Sequence, residues 1–484
     1  MSVTYANLVG GQWLGAAGDA WFEDKSPSNV EDVIGRIPRM SAGDVHAACN
    51  AAAQAFAEWR GLGRHRRGRI LTRAAAILHE RAEALARDIS REMGKVLREA
   101  RGEADRAADF FEYYGAFGRL PEGELLPDER PGVRTWSVRE PLGVIVAISP
   151  WNDPLLTPAR KVAPALVAGN TVVLKPSPFT PLVALRLAQA LVDAGIPPGV
   201  FNTVTGDDEV VGPALLSDPH VQGVSFTGST ATGTRLKREL GDRPVRLQTE
   251  MGGKNAIVVA DDADLELAAA GIVGAGYGQA GERCTAASRI IVFDSVGEAL
   301  VEALKRRIQA LRVGLPDRPE SDMGPVANEH QLQKVLDAVD QAKRDGARTV
   351  VGGRRLDQGE LSKGLFVEPG MVVDVPAESA FWQEEIFGPV IGVRSVRSVD
   401  EALSQVNASR YGLSASIYTW SLATAHAFAD GVDTGCVTVN LPTTGWDVHV
   451  PFGGFKSSGS PFKEHGIQGL EFYTRVKSVA MKVG

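Results

Sequence analysis

The sequence predicts an α/β protein of two consecutive parallel-sheet domains, and three observations carry that prediction. Between about residues 143 and 260, short apolar runs alternate with segments of helical spacing, the pattern of buried strands joined by crossover helices. A second block of the same kind runs from about 255 to 450. The 484 residues exceed one ordinary core, and 44% hydrophobic with 23% charged residues is the composition of a soluble globular chain with room inside for a ligand.

Taken in order, residues 1 to 40 are short apolar pieces cut by Gly and Pro, consistent with peripheral strands and turns. From about Asp44 to Arg119, AACNAAAQAFAEW and RAAAILHERAEALARDIS space alanine and leucine by three and four, which predicts two or three long amphipathic helices. The basic cluster Arg64, Arg66, Arg67, Arg69 and Arg73 reads as a solvated helix face balanced by Glu80, Asp88 and Glu92. Pro121, Pro127 and Pro131 then mark a linker, and VRTWSVRE alternates like an exposed strand that pairs at home or adds to another subunit's sheet.

In the first alternating block the strands are GVIVAIS, TVVLK, VFNTV, GVSFT and VRLQT. Ligands of such a sheet bind outside the carboxyl ends of its strands. In the second block the strand candidates are NAIVV, RIIVF, TVVGG, FVEPGMVVDV, PVIGVRSV, SASIYT and CVTVN. The tail, EFYTRVKSVAMKV, alternates like another exposed strand and is a second candidate for pairing between subunits.

Composition also excludes. A net charge of -7 leaves no basic excess to neutralise nucleic-acid phosphates. Cys49, Cys284 and Cys436 form no disulfide framework and lack metal-ligand spacing, so a reducing compartment and no metal site are expected. The first residues carry no basic, apolar leader, and nowhere do about 18 apolar residues run together, so the expected location is cytoplasmic, away from membranes.

Five places bring chemistry to strand ends or glycine-rich turns. Cys284, in GQAGERCTAASRIIV, sits on a small-residue turn as a nucleophile would, although a buried cysteine also serves as a plain small hydrophobe. Gly228 and Ser229, in FTGSTATG, end a strand where a helix begins, a turn suited to phosphate or to simple capping. Lys175 ends TVVLK, where it reaches a nucleotide or merely solvent. Glu250 follows VRLQT and reads as a general base or a salt-bridged carboxylate. Asn152, just past GVIVAIS, is an oxyanion donor or a turn asparagine.

Together these motifs resemble the NAD(P)-dependent aldehyde dehydrogenase superfamily. PWNDPL, KPSPFTP, FTGSTATG, EMGGKN, GERC, EEIFGPV and PFGGFKSSG stand in that family's order across nearly the whole chain. The resemblance implies two Rossmann-like domains, cofactor-binding at 1–120 with 141–252 and catalytic at 253–456, plus a β oligomerisation element at 121–140 with 457–484. It also implies a homo-oligomer, a dimer or a dimer of dimers. By the same resemblance Cys284 attacks the aldehyde, Asn152 and the Cys284 N–H hold the oxyanion, and Glu250 activates water to hydrolyse the thioester irreversibly to an acid. Lys175 would contact the adenosine ribose, Gly228 and Ser229 the pyrophosphate, Trp151 the cofactor surface, and Glu385 with Phe387 the nicotinamide ribose and ring.

Two departures matter. Where NAD-preferring members often carry a glutamate, this chain has Pro178, preceded by Ser177, so nothing there repels a 2′-phosphate. After the asparagine, where an aromatic is frequent, stands Asp153. Arg160 matches an arginine that holds the substrate carboxylate in succinic semialdehyde dehydrogenases, and the 441–454 loop with Trp446 resembles that of ketoglutarate semialdehyde dehydrogenases. An outward-facing Arg160 is the alternative, as is an aromatic or aliphatic aldehyde without a carboxylate. A coenzyme A-acylating enzyme would have no use for Glu250. A cysteine hydrolase would need a histidine base, yet the eight histidines form no Cys/His motif. An inactive structural homologue would have no reason to keep Cys284, Glu250, Asn152 and Lys175 together. The Pro178 departure predicts that NADP is accepted alongside NAD, with a preference for NADP also open; a kcat/KM preference for NAD of about tenfold or more contradicts it.

Overall fold

The computed structural model describes residues 3–482. Its first sheet holds five parallel strands in the order Phe201–Thr203, Thr171–Lys175, Val144–Ile148, Val221–Gly228, Arg246–Met251. Val144–Ile148 and Thr171–Lys175 are buried along their whole length, which is why they read as continuous apolar runs. The crossovers are the helices Leu156–Ala168, Pro181–Asp193, Asp208–Ser217 and Thr230–Leu240. The chain builds outward from Val144–Ile148 on one side and then returns to build on the other. That reversal opens a crevice beyond the carboxyl ends of Val144–Ile148 and Val221–Gly228.

The second sheet has seven strands in the order Arg348–Val351, Gly370–Val373, Val390–Val396, Ala287–Phe293, Asn255–Val259, Ser414–Tyr418, Cys436–Val439. All pair in parallel except the edge strand Arg348–Val351. A single apolar core, including Tyr277, Trp382 and Tyr418, surrounds it. Cys284 and Glu385 lie just ahead of strands of this sheet, and Asn255 opens one. The second sheet therefore offers the amino ends of its strands to the site, where the first offers carboxyl ends.

The two exposed strands of the sequence pair with each other. Thr474–Lys482 runs antiparallel to Val133–Pro141 from Thr474↔Pro141 to Lys482↔Val133, and Leu125–Leu126 adds a short third strand. The tail strand thus finds its partner within its own subunit, leaving its outer edge at the rim of the sheet. Val483, the last residue of the expected tail strand, lies outside the described residues.

Two expectations about the N-terminal helices change. There are four, Ala42–Gly61, Arg64–Glu80, Ala82–Met93 and Leu97–Ala116. Gly63 (φ +80°), Arg81 and Gly94 (φ +96°) leave helical geometry between them, whereas apolar periodicity continues across such single-residue breaks. The basic cluster is also not uniformly solvated. Arg67 is buried, with Nε donating to Val167 O at 3.0 Å and Nη1 to Arg60 O at 3.0 Å. Glu92 is buried too, accepting from the N–H groups of Leu182 (2.5 Å) and Val183 (3.1 Å) at the start of the helix Pro181–Asp193. Both groups satisfy helix-end backbone that would otherwise be orphaned. Removing Arg67 strands the carbonyls of Val167 and Arg60, so Arg67→Ala should cost about 2–3 kcal/mol. The check is a chemical-denaturation midpoint, and a wild-type value would contradict the assignment.

Candidate active site

The site begins where Val144–Ile148 ends. The helix Leu156–Ala168 has no side-chain cap of its own, and Glu103, from the helix Leu97–Ala116, supplies one. Its Oε1 accepts from Leu155 N at 2.8 Å and Leu156 N at 3.1 Å. The other oxygen receives Lys95 Nζ at 2.5 Å, and the same ammonium donates to Asp153 Oδ1 at 2.9 Å. Burial works against the Lys95 charge, but the Asp153 and Glu103 carboxylates outweigh it and hold the ammonium above its ordinary range. Asp153 would likewise be raised by burial, yet Lys95, then Arg160 and Arg283, bring it below the usual carboxylate range.

Cys284 follows a strained turn. After the helix Leu265–Tyr277, Gln279 (φ +55°) and Ala280 (φ +53°) are both left-handed, a conformation costing about 1–2 kcal/mol for each non-glycine residue. Gly281 is left-handed as well, and a Cβ there would lie 2.3 Å from Gly388 O. Its glycine is thus required by close backbone packing rather than by room around the thiol. Gln279 N donates to Glu99 Oε1 at 2.9 Å. Asn255 Nδ2 donates to Cys284 O at 2.8 Å, fixing the Cys284 peptide, while Asn152 Nδ2 donates to Glu282 O at 3.0 Å.

A cavity of about 560 Å³ opens over this turn, with Cys284, Asp153 and Arg160 on one side, Trp446 and Phe452 on another, and Arg106 in its lining. Cys284 is only half-buried, yet desolvation pushes its thiol up to about 12; Arg160 pulls the other way, and Asp153 and Glu250 add to the rise. Glu250 is buried at the end of Arg246–Met251 with neither carboxylate oxygen hydrogen-bonded. Burial first, and the Glu464 carboxylate second, hold it well above the usual carboxylate range.

Arg160 faces inward. Its Nε lies 3.0 Å from Glu464 Oε2 without hydrogen-bond alignment, Nη2 donates to Thr157 Oγ1 at 3.3 Å, and the guanidinium stands 5.4 Å from the centre of the Phe452 ring. Lys161 Nζ takes the other Glu464 oxygen at 2.6 Å. Trp446 Nε1 donates to Thr443 O at 3.2 Å, which turns its ring toward the cavity. A thiol in the cavity, with an amide donor bonded to its loop and a buried carboxyl group electrostatically coupled to it, is equipped for attack on a carbonyl and for proton transfer with water.

The crevice of the first sheet gathers the other expected residues. Trp151 meets Phe387 edge-on at 5.3 Å, and Phe387 holds a left-handed φ of +63°. Glu385 Oε1 accepts from Gly253 N at 3.0 Å, and a Cβ on Gly252 would fall 2.0 Å from its Oε2. Ser229 caps the helix Thr230–Leu240, accepting from Thr232 N at 3.1 Å beside Gly228. Lys175 is buried and bonded to the Asp208 carboxylate; Ser177 Oγ accepts from Phe179 N at 3.2 Å, next to half-buried Pro178. The hydroxyls of Ser149 and Thr227, at the carboxyl ends of the two central strands, are buried without partners. Orphaned hydroxyls, an ammonium, a helix start, a carboxylate and two aromatic faces are a donor set that fits the ribose, pyrophosphate and ring of a dinucleotide. Lys95, Glu103, Gln279, Glu464, Asp208 and Arg106 were not legible as site residues. On a helix or loop their charge or amide looks like any solvated side chain; packing buries Lys95, Glu103, Gln279 and Glu464, while Asp208 and Arg106 stay exposed beside Lys175 and at the cavity.

Residues 13–479 match the Aldehyde dehydrogenase family. The chain is 38% identical to the alpha-ketoglutaric semialdehyde dehydrogenase of Bacillus subtilis, covering 99% of this chain and 98% of that one. It is 39% identical to the 2,5-dioxopentanoate dehydrogenase of Saccharolobus solfataricus, covering 97% of each. Among solved structures, the betaine aldehyde dehydrogenase of Staphylococcus aureus in complex with NAD+ superposes with a TM-score of 0.97 at 32% identity, over 99% of this chain and 95% of that one. Only the deprotonated thiol reacts with an alkylating agent, and the Cys284 thiol is held at about 12. Its alkylation by iodoacetamide should therefore rise about tenfold per pH unit between about pH 7 and 10. A rate that levels off near neutrality, followed by mass spectrometry of the Cys284 peptide, would contradict this electrostatic picture.

Proposed function

The chain belongs to the aldehyde dehydrogenase family and is an NAD(P)-dependent aldehyde dehydrogenase, and from that premise we propose that it oxidises a carboxylate-bearing semialdehyde irreversibly to the acid. The observation that carries this reading is the inward-facing Arg160 beside Cys284 in one cavity, with the Asn152 amide bonded to the Cys284 loop at Glu282 O and the buried Glu250 carboxylate close enough to raise the Cys284 thiol. Full-length relatives named for 2-oxoglutarate semialdehyde and 2,5-dioxopentanoate support the substrate class.

Trp151, Lys175, Ser177, Pro178, Gly228, Ser229, Glu385 and Phe387 would hold the cofactor in the crevice, where it would supply the two-electron acceptor that takes the hydride of the aldehyde carbon. Everything else is work for side chains. Arg160 stabilises the Cys284 thiolate for attack on the aldehyde carbon. Asn152 Nδ2 and the Cys284 N–H receive the negative oxygen of the tetrahedral adduct. Oxidation of that adduct leaves a thioester on Cys284. Glu250, held well above the usual carboxylate range by burial and therefore a stronger base when ionised, then draws a proton from the water that hydrolyses it. Asp153 and Trp446 shape the cavity wall. Arg106 has no hydrogen bond or ion pair among the described residues of the chain, whereas Lys95, Arg160 and Arg283 are committed to Glu103 and Asp153, Glu464, and Glu99. It is the cation free to assist Arg160 in holding a distal carboxylate.

The same reading divides the chain into a cofactor-binding domain (1–120 and 141–252), a catalytic domain (253–456) and an oligomerisation element (121–140 and 457–484). Subunits then associate, as a dimer or a dimer of dimers, through the sheet of Val133–Pro141 and Thr474–Lys482, in the cytoplasm. No helix among the described residues is long and apolar enough to cross a membrane.

Steady-state assays with a five-carbon acidic semialdehyde and a neutral aldehyde of equal length test the substrate class. The acidic substrate should have the lower KM, and Arg106→Ala should raise it about five- to tenfold with little change in kcat, leaving the neutral aldehyde unaffected. Equal KM values for the two aldehydes in the wild-type enzyme would overturn the carboxylate reading. Glu250→Gln should lower steady-state turnover by about a hundredfold or more while a first-turnover burst of reduced cofactor persists, because hydrolysis and not oxidation is blocked.

A further inference from the structure

The structure assigns Gln279 as the positioning residue that sets the Asn152 amide against the Cys284 peptide. This rests on the proposed role of Asn152 as an oxyanion donor and adds the device that aims it. Asn152 and Cys284 belong to different sheets, one just past Val144–Ile148 and the other just ahead of Ala287–Phe293. They meet directly only where Asn152 Nδ2 donates to Glu282 O at 3.0 Å. Gln279 adds, from a single buried side chain, the contacts that hold the Asn152 backbone and the Arg283 side chain in register.

Its Nε2 donates to the backbone carbonyl of Asn152 and, at 3.1 Å, to Asp153 Oδ1. Its Oε1 accepts from Arg283 Nε, the residue before the nucleophile, at 3.0 Å. The Gln279 N–H and Arg283 Nη2 both reach Glu99, at 2.9 and 3.2 Å, so the helix Leu97–Ala116 anchors both ends of the bridge. The amide thus spends both donors on the Asn152 turn and its acceptor on the Cys284 loop. Gln279 and Ala280 both hold left-handed backbone in this loop. Strain retained in a non-glycine residue beside a nucleophile is the expected mark of a conformation that neighbouring contacts over-determine.

Alanine at 279 removes the bridge, and the two oxyanion donors lose their common frame. Expected for Gln279→Ala is a fall of about 10- to 100-fold in kcat per alkylatable Cys284, with cofactor Kd and the Cys284 alkylation rate within about twofold of wild type. A merely structural role would lower the melting temperature and the number of active sites, not the turnover of each. Gln279→Glu supplies the second readout and keeps the shape if alanine fails to fold. Its carboxylate still accepts from Arg283 but has no proton for the Asn152 carbonyl, and it faces Asp153 and Glu99 as well as Arg283 and Lys95. Acidification restores the donor, so kcat of this variant should climb toward wild type as pH falls, a limb the wild-type profile lacks. Wild-type turnover per thiol in Gln279→Ala, or a wild-type pH profile in Gln279→Glu, overturns the assignment. A wild-type enzyme that reduces no cofactor with any aldehyde would instead overturn the proposed function, which separates the two failures.

Discussion

The site depends on one buried ion triad, Lys95 held between Glu103 and Asp153. Taking a lysine and a glutamate fully out of water is costly unless every donor and acceptor is used. Here Glu103 divides its two oxygens between Lys95 and the first N–H groups of the helix Leu156–Ala168, and Lys95 passes on to Asp153. The turn carrying Trp151, Asn152 and Asp153 is thereby pinned to the helix Leu97–Ala116, which also holds Gln279 and Arg283 through Glu99. Losing any member would leave an uncompensated charge in the interior, so the triad fixes geometry more than it adds stability.

Within that frame the Cys284 thiol and the Glu250 carboxyl are both pushed up by desolvation, and the Glu250 charge raises the thiol further. Arg160 and Lys161 would reverse this if unopposed, but Glu464 takes a contact from each. His465 lies next in sequence, forced down to about 3 by burial and then by Arg160, and stays uncharged between Phe110 and Phe452.

The two sheets meet with opposite polarity. The first contributes loops after its strands, where Asn152, Lys175, Ser229 and Glu250 stand; the second contributes loops before its strands, where Cys284 and Glu385 stand. A helix start suited to phosphate is available on the first side, because the helices that follow its strands begin there. On the second side the loops enter strands, and close backbone packing such as that of Gly281 against Gly388 holds the nucleophile instead.

Much of this was legible before any coordinates. Period-two and continuous apolar runs marked both sheets, since burial on two faces demands them, and strand ends beside glycine marked Cys284, Glu250, Asn152 and Lys175. The breaks at Gly63, Arg81 and Gly94 escaped notice because amphipathic spacing runs through a single non-helical residue. Arg67 and Glu92 were misread as solvated because a charge on a helix carries no sign of the carbonyl or N–H it meets across the core. The pairing of Val133–Pro141 with Thr474–Lys482 needed the fold, being a contact between segments hundreds of residues apart. What the sequence by itself determined is the fold class and which candidate groups stand near strand ends, which follow from hydrophobic period and residue type. What only the tertiary structure decided is their ionisation and aim, through Lys95, Glu103, Gln279 and Glu464, because desolvation and hydrogen-bond direction exist only once distant segments are packed together.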